Sequence, residues 1–209
     1  MIAIEIIILL VVAYLLGSVT TSVWVGKLFF NKDIRKHGSG NAGAANTFRI
    51  LGVKAGVSVL IIDIVKGFFA VKLYWFSAIP DKYPHSLDFL MIFLCISAVI
   101  GHIFPIYAGF RGGKGVATLF GSVLAIHPLA ATVSAFIFII IFIVFRYFSL
   151  SSMIAGVSYP IVLILIFNVE SLSLIIFSVT IAVLLLLTHR KNIIRLVNNE
   201  EPKARFRPN

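Results

Sequence analysis

The sequence predicts an all-α membrane protein, a polytopic helix bundle whose residues 1–209 form a single domain. Hydrophobic residues make up 60% of the chain and charged residues only 12%, and the mean hydropathy is +1.06. A soluble domain carries about a quarter charged residues. Apolar runs of the roughly 20 residues that a helix needs to cross a bilayer recur along the whole chain.

Seven apolar runs are predicted to span the membrane. The first continues without a break to Trp24 and has neither a basic leader nor a small-residue cleavage site, so it is not a signal peptide. The fourth is short and ends at His127-Pro128, where proline removes a backbone donor and restricts the residue before it. The predicted spans are 2–25, 53–77, 88–107, 115–126, 128–147, 150–168 and 170–188.

A competing interpretation joins the fourth and fifth runs into one kinked helix, 115–147, which leaves six spans. With seven spans, 15 of the 18 basic residues fall in segments on one side, and the opposite segments carry only Lys82. Cytoplasmic loops are enriched in Lys and Arg. Seven spans are therefore favoured, with the N-terminus outside and residues 196–209 as a basic cytoplasmic tail at the C-terminus.

The net charge of +10 indicates an anionic lipid leaflet as the partner, because the basic residues are concentrated in the predicted cytoplasmic segments. Nucleic acid is not predicted. The one cysteine, Cys95, can form no disulfide within the chain. The sequence has no metal-ligand cluster, dinucleotide fingerprint or nucleophile elbow, so no metal or cofactor is predicted.

A polar, glycine-rich run follows the first span. Glycines permit positive φ and close backbone approach, and successive N–H groups in such a run can bind an anion. An ordinary cytoplasmic loop with a positive-inside arginine explains the composition equally well. The candidate residues in this first run are Ser39, Gly40, Asn41, Gly43, Asn46 and Arg49.

A second run, residues 111–115, opens the short fourth span. If that span is helical, its first N–H groups point toward the run and favour anions. Lys114 adds a compact positive charge, and Arg111 adds a guanidinium that can form two parallel hydrogen bonds to one phosphate. It is not a Walker loop, because glycine and not Ser or Thr follows the lysine. A tight turn would need fewer glycines than Gly112, Gly113 and Gly115, so the run indicates phosphate binding.

A third run, residues 189–195, follows the last span. His189, Asn192 and Arg195 are three positions apart and share a face if the segment is helical. A basic segment resting on anionic lipid accounts for the cations but not for His189 or Asn192. With seven spans, all three runs lie on the cytoplasmic side, as expected for a common site.

Polar residues inside the spans carry further predictions. Asp63 and Lys66 are expected to form a buried ion pair, because isolated charges in a membrane are costly. His102, near the end of the third span, is expected to cap or support the structure. The serines of residues 149–152 open the sixth span, where serines usually cap helices.

Together these segments resemble the bacterial acyl-phosphate:glycerol-3-phosphate acyltransferases of the inner membrane. The resemblance covers nearly the whole chain and rests on residues 39–46 with Arg49, 111–118 and 189–195. It implies acyl transfer from acyl phosphate to the 1-position of sn-glycerol 3-phosphate, giving 1-acyl-sn-glycerol 3-phosphate and phosphate. This is the first step of phospholipid synthesis. We expect a monomer, an active site at the cytoplasmic face and an upstream enzyme that forms the acyl phosphate.

The family pattern also implies roles for individual residues. Catalytic roles are implied for Ser39, Arg49, Lys114, His189 and Asn192. Substrate contacts are expected from Gly40, Asn41, Gly43, Asn46, Arg111, Gly112, Gly113, Gly115 and Ser152. The second run would bind glycerol 3-phosphate, and either His189 or the substrate phosphate would be the base. Ala42 and Ala45 replace the usual proline and threonine, so a hydroxyl contact from position 45 is absent.

Other functions fit the sequence less well. A transporter or flippase for a phosphate-bearing lipid would also combine spans with basic loops, but transporters commonly show internal repeats and helices broken at mid-membrane. This sequence has no internal repeat. A non-catalytic lipid anchor explains the basic tail but not the glycines. The acyltransferase class with an H-x-x-x-x-D motif is excluded, because no histidine is followed five positions later by aspartate.

Overall fold

The computed structural model of the protein describes residues 2–83 and 86–204, which are helical and contain no strand. The described chain divides between Ile126 and His127 into two compact units. The first unit contains α1 (Ile2–Ser18), α2 (Thr21–Phe30), α3 (Ala44–Leu51), α4 (Val53–Lys72), α5 (Ile79–Lys82), α6 (Leu87–Ile103) and α7 (Val116–Ile126). The second contains α8 (Pro128–Phe145), α9 (Phe148–Leu165), α10 (Leu172–Thr188) and α11 (Arg190–Val197).

Among the described residues, four helical segments are long and apolar enough to cross a membrane, and the bent pair of α10 and α11 makes up to five. The four are Ile2–Phe30, Leu87–Ala108, Pro128–Phe145 and Phe148–Leu165. The polytopic helical fold is thus confirmed. Two further predicted spans are not among these segments. The helix α4 carries charged residues along its length, and α7 has only 11 residues. Seven crossings and their orientation remain a prediction.

The first predicted span is not one uninterrupted helix. It breaks between α1 and α2 at Val19 and Thr20, and α2 continues to Phe30, beyond the predicted end. The break leaves the Val19 carbonyl outside the helical ladder, where the Lys66 ammonium donates to it at 2.6 Å. Hydrophobicity alone did not reveal the break, because Val19 and its neighbours are as apolar or neutral as the flanking turns.

The segment predicted as the first loop contains more structure than expected. Ile34–Lys36 form a 3-10 turn, and α3 occupies the second half of the first glycine-rich run. Asn46 and Arg49 therefore lie on a helix and not in a loop. The helix is only 8 residues long, too short for its periodicity to stand out against the polar residues around it.

A helix break is observed at the predicted position, since α7 ends at Ile126 and α8 begins at Pro128. His127 caps α8, with its Nδ1 accepting the Ala130 N–H at 3.2 Å, and Pro128 occupies the first helical position. Proline is favoured there because its missing N–H would have no partner within the helix.

Glycines bring the helices of the first unit into close contact. Gly17 lies against the Ala98 carbonyl and Gly101 against the Tyr14 carbonyl, which joins α1 to α6. Gly67 and Gly121 do the same between α4 and α7, against Thr118 and Ile64 respectively. A Cβ at any of these glycines would overlap the facing backbone, and small residues are what allows helices to approach closely in a membrane.

In the second unit, α9 packs against both α8 and α10. Gly156 of α9 lies against the Leu185 side chain of α10. The segment after α11 folds back on this unit, and the Ala204 N–H donates to the Arg146 carbonyl at 2.8 Å. This return places Glu201, which lies in the predicted tail, beside the start of α9 and the third polar run.

Candidate active site

Asn46 shapes the first glycine-rich run. Its side chain is 2% exposed, and its Oδ1 accepts the Ser39 N–H at 3.0 Å. Its Nδ2 donates to the carbonyls of Ile34 and His37, at 3.1 and 3.0 Å. Gly38 has φ +59, and a Cβ there would overlap Asn46 Oδ1. The amide predicted to contact substrate is thus engaged with the backbone of residues 34–39.

The run leads directly into the N-terminus of α3. Gly43 caps the helix without a side-chain hydrogen bond, and its carbonyl accepts from the Thr47 hydroxyl at 3.1 Å. Ser39 and Gly40 are exposed, and Asn41 is half-buried. Backbone N–H groups at a helix start carry partial positive charge, which favours an anion. Arg49 lies in the last turn of the same helix.

Two consecutive glycines pin the second run to the end of α6. The Gly112 N–H donates to the Ile103 carbonyl at 3.1 Å, and the Gly113 N–H to the His102 carbonyl at 3.2 Å. A Cβ at Gly112 would overlap that same His102 carbonyl, and one at Gly113 would overlap His102 Nε2. A larger residue at Gly112 would require movement of the end of α6, and one at Gly113 would require movement of the His102 ring and of the Ala42 backbone.

Gly115 makes the turn from the second run into α7. Its φ is +76, which glycine adopts readily, and α7 begins at the next residue, Val116. Lys114, immediately before this turn, is half-buried, and Arg111 is exposed. The predicted arrangement, in which a helix begins directly after the glycine-rich run, is therefore observed.

The structure brings the first two runs together. Arg35, from the 3-10 turn before the first run, donates to the Ala108 carbonyl just before the second at 2.8 Å. Asp33 holds this guanidinium through two oxygens, at 3.0 and 2.8 Å. The hydrogen-bonded Arg35 guanidinium keeps the pKa of the Asp33 carboxyl well below its ordinary range. The Ala42 carbonyl of the first run also lies 2.7 Å from the Cβ position of Gly113.

A buried polar network lies beneath this junction. Lys66 Nζ is 2.9 Å from Asp63 Oδ1, which confirms the predicted ion pair, and Thr21 Oγ1 donates to the same carboxylate oxygen at 3.0 Å. His102 Nδ1 lies 2.9 Å from Lys66 Nζ and 3.0 Å from Thr118 Oγ1. The predicted supporting role of His102 is thus borne out by its contacts. The network links α2, α4, α6 and α7.

In the second unit, His189 occupies the cap position between α10 and α11. The residue is 4% exposed, and its Nδ1 lies 2.9 Å from the Leu185 carbonyl. A carbonyl can only accept, so Nδ1 donates and the neutral ring carries its lone pair on Nε2. Asn192 and Arg195 lie one turn apart on α11, as their spacing predicts.

Both of those side chains meet Glu201. Asn192 Nδ2 donates to Glu201 Oε1 at 2.8 Å, and Arg195 Nε donates to Oε2 at 2.7 Å. Ser149 Oγ also donates to Oε1, at 2.7 Å. Burial raises the pKa of the Glu201 carboxyl, but the hydrogen bonds from Ser149, Asn192 and Arg195 outweigh it, so the pKa lies below its ordinary value.

The expectation that serines cap the sixth span is wrong. The cap residue of α9 is Tyr147, and no side chain bonds the helix start there. Ser149 instead reaches Glu201, and the Ser152 hydroxyl donates back to the Phe148 carbonyl at 2.8 Å. The proton of the Ser152 hydroxyl is therefore directed at a carbonyl of its own helix.

Sequence reasoning missed two organising residues. Neither Arg35 nor Glu201 is among the predicted site residues. The signal available for Glu201 was an acidic residue in a tail that is otherwise basic. For Arg35 it was the nearby Asp33, since two opposite charges two positions apart in a turn often pair.

Comparison with known proteins agrees with these features. The sequence profile of the family described as glycerol-3-phosphate acyltransferase matches residues 7–199. A glycerol-3-phosphate acyltransferase of Enterococcus faecalis is 42% identical over 97% of this chain and 93% of its own. One of Listeria welshimeri is also 42% identical, over 97% of this chain and 98% of its own.

Two solved structures share the fold. Both are crystal structures of PlsY, an integral membrane glycerol 3-phosphate acyltransferase. Its glycerol 3-phosphate form has a TM-score of 0.82 and 36% identity, over 95% of either chain. Its lysophosphatidic acid form has a TM-score of 0.78 and 35% identity, over 97% of this chain and 96% of that one. On the profile match and the 42% identity to relatives of nearly equal length, this chain belongs to the glycerol-3-phosphate acyltransferase family.

Proposed function

We propose that this protein transfers an acyl group from acyl phosphate to the 1-hydroxyl of sn-glycerol 3-phosphate. The products are 1-acyl-sn-glycerol 3-phosphate, a lysophosphatidic acid, and inorganic phosphate, and the step opens phospholipid synthesis. The observation that carries the proposal is the junction of two glycine-rich, cationic runs, at which Arg35 holds the Ala108 carbonyl at 2.8 Å. Each run leads into the start of a helix, and two phosphorylated substrates need two such anion sites.

The reaction depends more on the positioning of the two substrates than on activation of the acyl group by the protein. The glycerol oxygen attacks the acyl carbon, the bond from that carbon to the phosphate oxygen breaks, and phosphate leaves with the electron pair. Acyl phosphate is already activated, so the chain's contribution is orientation, worth up to about 7–11 kcal/mol, and charge neutralisation. No metal or cofactor takes part in this scheme.

The two runs divide the substrates between them. Ser39 and Arg49, with Gly40, Asn41 and the helix start at Gly43, bind the acyl phosphate; Asn46 acts by holding this run in shape. Lys114 and Arg111 neutralise the phosphate of glycerol 3-phosphate, against the backbone of Gly112, Gly113 and Gly115. Asn192 and Ser152 contribute polar contacts to substrate.

The proton of the glycerol hydroxyl has two candidate acceptors. One is His189, whose Nδ1 is committed to the Leu185 carbonyl at 2.9 Å so that Nε2 carries the lone pair. A general base needs that arrangement. The other is the phosphate of the substrate itself. A pH profile that is unchanged in the His189→Gln variant would favour the substrate phosphate, and loss of the low-pH limb, along which the base becomes protonated, would favour His189.

We further propose seven spans in the inner membrane, with the N-terminus outside, the C-terminal tail 196–209 in the cytoplasm and the active site at the cytoplasmic face. The crossing by α4 is supported by the mutual pairing of its buried Asp63 and Lys66 at 2.9 Å, which lowers the cost of charge in a membrane. The chain acts as one domain and as a monomer, downstream of an acyl-phosphate-forming enzyme. A reporter fused to the C-terminus should signal from the cytoplasm, and a periplasmic signal would overturn this topology.

The function is tested with purified protein, palmitoyl phosphate and glycerol 3-phosphate. We expect release of phosphate and formation of lysophosphatidic acid in equal amounts. Palmitoyl-CoA in place of palmitoyl phosphate serves as the donor control and should give no product. Absence of turnover in both detergent and lipid, while a PlsY preparation turns over in the same assay, would overturn the proposal.

A further inference from the structure

The Lys66 ammonium is surrounded by three polar atoms of the buried network. Three atoms lie within hydrogen-bond distance of its Nζ: the Val19 carbonyl oxygen at 2.6 Å, Asp63 Oδ1 at 2.9 Å and His102 Nδ1 at 2.9 Å. The side chains of Lys66 and Asp63 are 6% and 2% exposed. Lys66 and Asp63 form a close ion pair at 2.9 Å, and an ammonium can only donate. His102 Nδ1 must therefore be an acceptor.

Two further distances agree with that assignment. Thr118 Oγ1 lies 3.0 Å from the same nitrogen and carries a proton that it can donate to it. Asp63 Oδ1 lies 3.9 Å from His102 Nδ1, with the lysine between the two acceptors. A protonated imidazole would direct its Nδ1–H against the ammonium. The ring is accordingly neutral, with its proton on Nε2.

The Nε2 edge of the ring lies at the junction of the two polar runs. A Cβ at Gly113 would overlap Nε2, so the ring edge is in contact with the Gly113 backbone. The Ala42 carbonyl lies 2.7 Å from the same Cβ position. The Gly113 N–H is bonded in turn to the His102 carbonyl at 3.2 Å. One residue thus contacts the second run through both its backbone and its ring.

We propose that His102 is a positioning residue for this acyltransferase. Asp63 and Lys66 fix its tautomer, and the Nε2 edge of its ring packs against the Gly113 backbone. This contact keeps the glycerol 3-phosphate run in place against Ala42 of the acyl-phosphate run. Its role in catalysis rests on the proposed function. The tautomer and the contact with Gly113 are properties of the folded protein, and they can be tested without turnover.

The first experiment is the ¹⁵N spectrum of histidine-labelled protein, with the His102 signals assigned by their loss in His102→Gln. We expect an unprotonated Nδ1 and a protonated Nε2 at neutral pH. The Gly113→Ala variant should shift the Nε2 signal, whereas Gly43→Ala, whose Cβ would meet no atom within 4 Å, should leave it in place. A protonated Nδ1, or an Nε2 signal that ignores Gly113→Ala, would overturn the proposal.

The second experiment compares two amide replacements. His102→Gln can place an N–H donor near the original Nε2, whereas His102→Asn reaches only the Nδ1 region. We expect His102→Asn to raise the KM for glycerol 3-phosphate about tenfold, because loss of the ring edge beside Gly113 lets the second run shift and small misplacements of a binding group are costly. The kcat and the KM for acyl phosphate should change much less. His102→Gln should restore most of that KM. Equal kinetics in the two variants, both folded by circular dichroism, would contradict the positioning role.

The two proposals fail in different ways. If the wild-type protein gives no lysophosphatidic acid, the proposed function fails, while the ¹⁵N spectrum still decides the state of His102. If the wild type is active and His102→Asn leaves the KM for glycerol 3-phosphate unchanged, the positioning role fails and the function stands.

Discussion

Glu201 Oε1 accepts a hydrogen bond from Asn192 Nδ2 at 2.8 Å, so a residue of the C-terminal segment orients a predicted catalytic amide. The same carboxylate accepts from Ser149 and Arg195, both at 2.7 Å. Charge-assisted hydrogen bonds of this kind are stronger than neutral ones. The carboxylate therefore sets which way the Asn192 side chain points.

Glu201→Gln should lower kcat about tenfold through misorientation of Asn192, because a glutamine offers one acceptor oxygen and turns an NH₂ toward a donor. The measurement is steady-state kinetics with both substrates varied. Glu200→Gln, at the exposed neighbouring position, is the matched control and should behave as wild type. In the Asn192→Ala background the Glu201→Gln change should have little further effect. Additive losses would contradict the orienting role.

Acid should weaken the protein through Glu201. Its pKa is lowered in the folded state relative to the ordinary 4.5. A lowered pKa stabilises the fold fully above 4.5, and this contribution is lost as the pH falls through the lower, folded-state value. Unfolding temperatures measured from neutral to acid pH should therefore fall less steeply in Glu201→Gln than in wild type. Asp33 titrates with the same sign, so the comparison between the two proteins, and not the wild-type curve alone, isolates Glu201.

Lys114→Ala should impair glycerol 3-phosphate use more than acyl phosphate use. Loss of a charged contact with phosphate, worth about 1.5–3 kcal/mol, corresponds to a rise of about 10- to 100-fold in KM. The two KM values are measured separately at saturation of the other substrate. Lys36→Ala removes an exposed lysine of the first loop and controls for the change in net charge. Equal increases in both KM values would refute the proposed division of the site.

The Asp63–Lys66 pair should stabilise the fold mainly as a unit. Asp63→Asn or Lys66→Met alone leaves a buried partner uncompensated, at a cost of about 3–5 kcal/mol. The double variant removes both charges and should be less destabilised than the sum of the single variants. Thermal unfolding in detergent gives the comparison. Strict additivity would show that the two side chains, 2.9 Å apart, are not coupled.

Gly112→Ala should destabilise the protein by about 1–3 kcal/mol, the usual range for overpacking. The added Cβ would overlap the His102 carbonyl and lie 2.7 Å from that of Ile103. Gly43→Ala is the control, because φ there is −141 and no atom lies within 4 Å of the added carbon. If the two variants unfold at the same temperature, close packing of the second run on α6 is not what requires glycine.

Several features were predictable because they depend on the chain alone. Hydrophobicity over windows of about 20 residues identifies a membrane protein, and proline marks a helix start wherever it falls, as at Pro128. The Asp63–Lys66 pair follows from helical spacing and from the cost of unpaired charge. The three polar runs were recognisable because glycine and cations are unusual between apolar spans.

Other features depend on which helices become neighbours. The sequence showed that Asn46 is polar and lies in the first run, but only folding of residues 34–39 around it gave its amide three backbone partners. The break at Val19 is likewise tied to a lysine 47 positions away. Periodicity indicates which residues share a face of one helix, and it carries no information on what that face will meet.

The sequence by itself determined the fold class, the membrane location and the three runs, since composition and spacing are local properties. Only the tertiary structure decided that Arg35 joins the first run to the second, that Glu201 holds Asn192, and that His102 contacts Gly113. Each of these contacts joins residues that are brought together by packing of separate segments, and no local pattern in the sequence encodes which segments will meet.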